Sequence, residues 1–149
     1  MGAIETTSRA VIEASQEAAW ALLSDYANDL HWREGLRRIE QDRPGPVYEG
    51  AQVVEELVVL GRAVVSEIEI HGVEPGAAFS WRVGDGTAAL GSRRLVPLGA
   101  DRCELILHKR LQLAGSDRLL QPLVALAVRR SERGDAYRAA DFVAGRVRA

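Results

Sequence analysis

The chain has 149 residues, 47% of them hydrophobic and 27% charged, with 19 basic side chains against 21 acidic ones. Such a length suits one domain, spanning residues 1–149, that buries a core without disulfide or metal staples. The near-neutral charge supplies no field for a phosphate backbone, so nucleic acid is not an expected partner.

A single cysteine, Cys103, excludes an internal disulfide and any zinc site built from several cysteines. Every basic residue except Lys109 is arginine, a bias that reads as GC-rich bacterial coding. No stretch approaches the ~18–20 apolar residues that span a bilayer. The opening Met1-Gly2-Ala3-Ile4-Glu5 lacks the basic and apolar blocks of a secretory signal. The expected location is cytoplasmic, without stable membrane insertion.

Thr6 to Ala14 alternates like a half-buried strand. Ser15 then offers an N-cap oxygen to a helix over Gln16 to Ser24. A short second helix or turn carries Leu30, His31 and Trp32 and ends near Gly35. From there the pattern is almost all strand: Leu36 to Gln41, Ala51 to Leu60, Ala63 to Val73, Ala78 to Val83, Ala88 to Leu98 and Arg102 to Leu113. Short glycine-bearing turns between consecutive strands predict an antiparallel meander. A last helix over Pro122 to Val147, with Pro122 in its first turn, would measure ~39 Å. Gly115-Ser116-Asp117 would precede it. Its apolar arc (Leu119, Leu120, Leu123, Val124, Leu126, Ala127) continues as Ser131, Gly134, Arg138 and Asp141, and a bend near Gly134 would reconcile the change.

This order of elements resembles the helix-grip fold of the START-like (SRPBCC) superfamily, which includes polyketide cyclase/dehydrase-type and lipid-transfer proteins. Its carriers are Val11-Ile12-Glu13-Ala14-Ser15-Gln16-Glu17-Ala18-Ala19-Trp20, similar to the family's strand-then-helix opening, with Asp25 and Trp32 after it. Gly61-Arg62, Val73-Glu74-Pro75 and the helix start from Leu120 to Arg130 complete the likeness. The resemblance implies an α+β fold: a curved antiparallel sheet of about seven strands wrapped around a long C-terminal helix, with two short helices after the first strand. It also implies an apolar cavity between sheet and helix, of ~300–1,000 Å³. Small residues (Ser8, Ala10, Ala88, Ala89, Gly91) would leave room there.

Several residues could carry chemistry in such a cavity. Glu55 and Glu56 lie mid-strand, so a period of two turns one carboxylate inward, either as a general base with its pKa raised by desolvation or as an arginine's partner. Arg93 and Arg94 follow the same logic. Lys109 sits in an otherwise apolar row between Leu107 and Leu111. It is either a Schiff-base or carboxylate-binding lysine or a snorkelling strand-end residue. His31, His71 and His108 lack metal-ligand spacing, so no metal and no cofactor are expected. No nucleophile elbow or phosphate loop is present, and Cys103 reads as an inert core thiol.

The expected inward row Val64, Ser66, Ile68, Ile70 is mostly aliphatic, which favours binding over cyclisation chemistry. The leading reading is a protein that encloses a hydrophobic small molecule, lipid or polyketide-like, without catalysis. Its expected contacts are Trp32, Glu55, Ser66, Ile68, Trp81, Arg93 and, from the helix, Leu123, Ala127, Arg130, Gly134 and Tyr137. The alternative is a cyclase/dehydratase-type enzyme with Glu55, Glu56 or Lys109 as catalytic candidates. A ligand-free interaction module is the third possibility, and the oligomeric state is read as monomer or homodimer.

Overall fold

The computed structural model of the protein describes residues 2–113 and 121–149. The expected Gly115-Ser116-Asp117 start and Leu119 and Leu120 lie outside the described residues. Strand β1 spans Ala3–Ile12, three residues ahead of its expected start. Its even-numbered side chains from Ile4 to Ile12 are buried while most of the odd-numbered ones face solvent. Helix α1 spans Gln16–Leu23, and the Ser15 hydroxyl accepts the Ala18 N–H at 3.1 Å as its cap. A 3₁₀ helix over Tyr26–His31 follows, opened by Asp25, whose carboxylate accepts the Ala27 N–H.

Six further strands run as a meander: β2 (Leu36–Gln41), β3 (Gln52–Val59), β4 (Arg62–Glu74), β5 (Ala78–Val83), β6 (Ala89–Gly99) and β7 (Arg102–Gln112). All neighbours pair antiparallel in the order β1-β7-β6-β5-β4-β3-β2. Both residues of the β3–β4 turn, Leu60 and Gly61, have positive φ. That geometry matches the right-handed strand twist, which is why glycine stands there. Pairing of the first strand with the last leaves β1 and β2 as the two edges of one curved sheet.

Helix α2 runs unbroken over Gln121–Arg148 and packs mainly on β1. Its buried face is Ala125, Val128, Glu132, Asp135, Ala136, Ala139, Ala140 and Val143. At 100° per residue this face lies across the helix from the leucine arc expected to point inward. Leu123 is 65% exposed and Tyr137 58%, and Arg130 is exposed as well. The physical reason is distance: alanines let the helix approach the sheet closely, whereas leucines there would hold it off. A single buried face also removes the need for a bend at Gly134. The Arg138 guanidinium fills the space beside that glycine, where a Cβ would stand 2.8 Å from Arg138 Nη1.

Two apolar clusters frame the interior. One joins Ile12, Ala19, Leu23, Cys103 and Leu105 to Ala136, Ala139 and Val143. The other joins Tyr26, Val53, Ile68, Ile70 and Phe79. Each fully buried Ile or Phe contributes about 1.5–3 kcal/mol. Cys103 is fully buried, and desolvation pushes its thiol pKa up, as suits an unreactive core residue.

Candidate functional site

Between these clusters, where β3 to β7 face α2, lies a cavity of about 30 Å³. That is room for about two water molecules, so this cavity, among the described residues, is far smaller than the one expected from the sequence. Side chains have taken the space. Gly91 leaves a gap in β6, but the Trp81 ring lies over it: a Cβ there would meet Trp81 Cζ2 at 2.5 Å and the His108 carbonyl at 2.3 Å. Of the small residues of β1, Ala10 is buried in one cluster with Ala136 and Ala139 of α2.

The strand period selects Glu55 and Arg93 for the interior, each only 7% exposed. Glu56 is half-buried and outside the cavity wall, and Arg94 is exposed beside Glu74. Glu55 and Arg93 do not pair with each other. Asp29 of the 3₁₀ helix, 0% exposed, stands between two arginines. Arg93 donates to both Asp29 carboxylate oxygens, one bond at 2.9 Å, and to the Leu23 carbonyl at 3.1 Å. Arg33 donates to Asp29 at 3.1 Å and grips both oxygens of Glu55 at 2.6 and 3.2 Å. The Arg93 guanidinium also lies over the rings of Tyr26, Trp32 and Phe79, 4.5–5.5 Å from their centroids.

These contacts set the protonation states. Burial pushes the Glu55 carboxyl up, but the charge and hydrogen bonds of Arg33, with Lys109 and Arg93 behind them, bring it below the usual range. Of the two alternatives for the inward glutamate, the geometry matches the arginine's partner, with Arg33 as that arginine, and not the carboxyl raised by desolvation. Burial pushes the Tyr26 phenol far up.

Lys109 points inward from β7, as a regular strand requires. Its ammonium meets Glu132 Oε1 of α2 at 2.5 Å and lies 5.9 Å from the Trp81 ring centroid. One turn on, Asp135 accepts the Glu34 N–H at 2.9 Å and pairs with Arg138. Desolvation holds the Asp135 carboxyl above its ordinary value. Arg138 Nε donates to the Trp32 carbonyl at 3.0 Å, tying the helix to the segment after the 3₁₀ helix. The Trp32 indole N–H is buried without a hydrogen-bond partner among the described residues.

Of the residues singled out from the sequence, Trp32, Glu55, Ile68, Trp81, Arg93 and Lys109 line the cavity. Ser66 is half-buried and stays outside its wall, while Val64 is exposed. On the helix, Leu123, Arg130 and Tyr137 face outward; Ala127 and Gly134 are half-buried away from the cavity. The sequence reading missed Asp29, Arg33, Glu132 and Asp135. The i, i+4 spacing of Asp29 and Arg33 was one available signal. Another was the alignment of Glu132 and Asp135 with the alanines of α2. No cluster of three or more metal-ligating side chains occurs among the described residues. No helix there is long and apolar enough to cross a membrane.

Residues 3–141 match the family described as polyketide cyclase / dehydrase and lipid transport. No curated protein matches the chain by sequence. Among solved structures, the chain is similar to the Zhui aromatase/cyclase from Streptomyces sp. R1128, with TM-score 0.81 and 17% identity over 99% of this chain and 97% of that one. A protein from Thermus thermophilus gives TM-score 0.81 at 15% identity, covering 95% and 97%. Norcoclaurine synthase from Thalictrum flavum, in complex with dopamine and hydroxybenzaldehyde, gives TM-score 0.64 at 14% identity over 95% and 86%.

Proposed function

Because the chain belongs to the polyketide cyclase / dehydrase and lipid transport family, we propose that it binds a small molecule with an apolar, ring-bearing body and one polar head between sheet and helix. The observation that carries this reading is the Lys109–Glu132 pair facing Trp81, on the wall of a cavity that Trp32 also lines with an indole N–H unpartnered among the described residues. A buried ion pair adds little stability over apolar residues of the same volume, so a core needing only stability has no use for it. A ligand hydroxyl, carbonyl or carboxylate has two donors there, the ammonium and the indole N–H, and Glu132 as an acceptor. Trp81, Ile68 and Leu107 supply the apolar wall. With about 30 Å³ free, binding requires side chains to move aside, and the polar pair is the part that a ligand head can replace bond for bond.

A second reading has its own observation. The Asp135 carboxyl, raised by burial and lining the same cavity, suits a proton donor in cyclisation or dehydration. Glu55, paired with Arg33 and held below its ordinary value, suits that role less well. The family's cyclase/dehydrase members make this reading pertinent.

The test uses the tryptophans of the wall. In a Trp20→Phe background, 2-naphthol is expected to quench Trp32 and Trp81 fluorescence saturably, with one equivalent bound by native mass spectrometry. Linear, unsaturable quenching by 2-naphthol and by a long-chain fatty acid would sink the proposal.

A further inference from the structure

A second concavity, on the outer side of the helix–sheet contact, is larger than the interior one. A groove of about 340 Å³ runs between Glu5–Arg9 of β1 and Arg129, Arg133 and Tyr137 of α2. We propose that it is a second binding site, for a phosphoryl group.

Three observations support this. Arg129 and Arg133 stand four residues apart on α2, so their side chains leave one face of the helix about 6 Å apart. Neither forms an ion pair among the described residues, although the other charged groups of the groove are engaged: Arg9 with Glu104 at 3.3 Å and Glu5 with His108 at 2.8 Å. Among the described residues neither guanidinium has a carboxylate partner, and both arginines line the groove.

The second observation is the opposite wall. Thr6 is 7% exposed and its Oγ1 is buried without a hydrogen-bond partner among the described residues. Its neighbour on the same face, Ser8, is buried as well. Both hydroxyls occupy positions where an edge-strand core would take valine or isoleucine, as Ile4 and Ile12 do on the same strand. An orphaned buried hydroxyl costs stability, and a groove ligand that accepts its hydrogen removes that cost.

The third observation concerns shape. Arg129, Arg133 and Tyr137 line the groove from α2, and Thr6 and Ser8 line it from β1. Several donor-bearing residues on two walls suit a phosphoryl group with its three terminal oxygens better than a planar carboxylate, which one guanidinium satisfies. Tyr137, expected in the interior cavity, belongs to this outer site instead.

Inorganic phosphate is the probe, titrated into the ¹⁵N-labelled full chain at constant ionic strength. Saturable shifts are expected at the amides of residues 6–9 and at the Nε–H groups of Arg129 and Arg133, with acetate binding more weakly. Replacing both arginines (Arg129→Gln, Arg133→Gln) should weaken phosphate by about tenfold or more. Thr6→Val should weaken it less, and Arg130→Gln should leave it unchanged. All three arginines are exposed, so these variants keep the fold. Shifts that are linear, equal with acetate, or intact in the double variant would overturn the proposal. Anionic phosphatidylglycerol vesicles then identify the source. Sedimentation lost in the double variant assigns the phosphoryl group to a lipid, and phosphate binding without sedimentation assigns it to a soluble ester.

Discussion

Two adjacent stretches of the α2 contact face show opposite chemistry on one helix. From Ala136 to Val143 the face is alanine and valine, packed dry against Ile12, Cys103 and Leu105. One turn earlier, Glu132 and Asp135 occupy the same stripe and face Lys109 and the Glu34 backbone. Burial of apolar area explains the first region completely. The second works against that term, since each ion must be desolvated before it gains a partner. The contrast assigns stability to the first region and, on the proposed function, recognition to the second.

The largest expected effect tests whether every buried charge belongs to the second class. Arg93 lies in the interior beside both stretches: its guanidinium holds Asp29 and lies over the rings of Tyr26 and Phe79 in the second apolar cluster. Arg93→Met leaves the fully buried Asp29 with Arg33 alone. Urea unfolding is expected to show a loss of about 3–5 kcal/mol, the cost of an uncompensated buried charge. A loss below about 1 kcal/mol would mean that Asp29 and Arg33 suffice, and Arg93 would move to the recognition side of the comparison.

A smaller effect on stability is expected at the Lys109–Glu132 pair. Joint replacement, Lys109→Met with Glu132→Leu, fills the same volume with apolar groups, so stability should fall by no more than about 1 kcal/mol and can rise. Affinity for 2-naphthol in the fluorescence assay should drop by about tenfold, equivalent to 1.4 kcal/mol. Stability and binding moving together would erase the distinction between the two regions.

The elements were legible because their signals are local. Ser15 caps a helix, alternation marks β1 and β7, and glycine at the β3–β4 turn supplies positive φ. Strand parity also limited the inward residue to one of Glu55/Glu56 and one of Arg93/Arg94. What failed was anything set by distance between elements. Size misled the reading of α2, since Leu123 and Leu126 outweigh alanine on any hydropathy scale, yet the close helix–sheet approach demands alanine. Partners were invisible for the same reason: Arg33 lies 22 positions from Glu55, and no local pattern joins them. The cavity was overestimated because a glycine gap at position 91 says nothing of the Trp81 ring that fills it.

The smallest expected effect separates the two carboxylates by the sign of their pH dependence. The Glu55 carboxyl lies below its ordinary value of 4.5, so between the two values the unfolded chain binds more protons than the folded one. Its contribution is present above pH 4.5 and is lost as pH falls through the folded value. Asp135 lies above its ordinary value of 3.8, and the inequality reverses. There the folded state holds the extra proton, and stability declines as pH rises from 3.8 through the folded value. In urea unfolding followed from pH 3 to 7, Glu55→Gln should flatten the acid-side loss, whereas Asp135→Asn should remove a decline on the alkaline side of 3.8. Equal slopes in both variants would show that the two carboxylates share one titration across the cavity, and the charged half of the interior would then act as a single coupled unit.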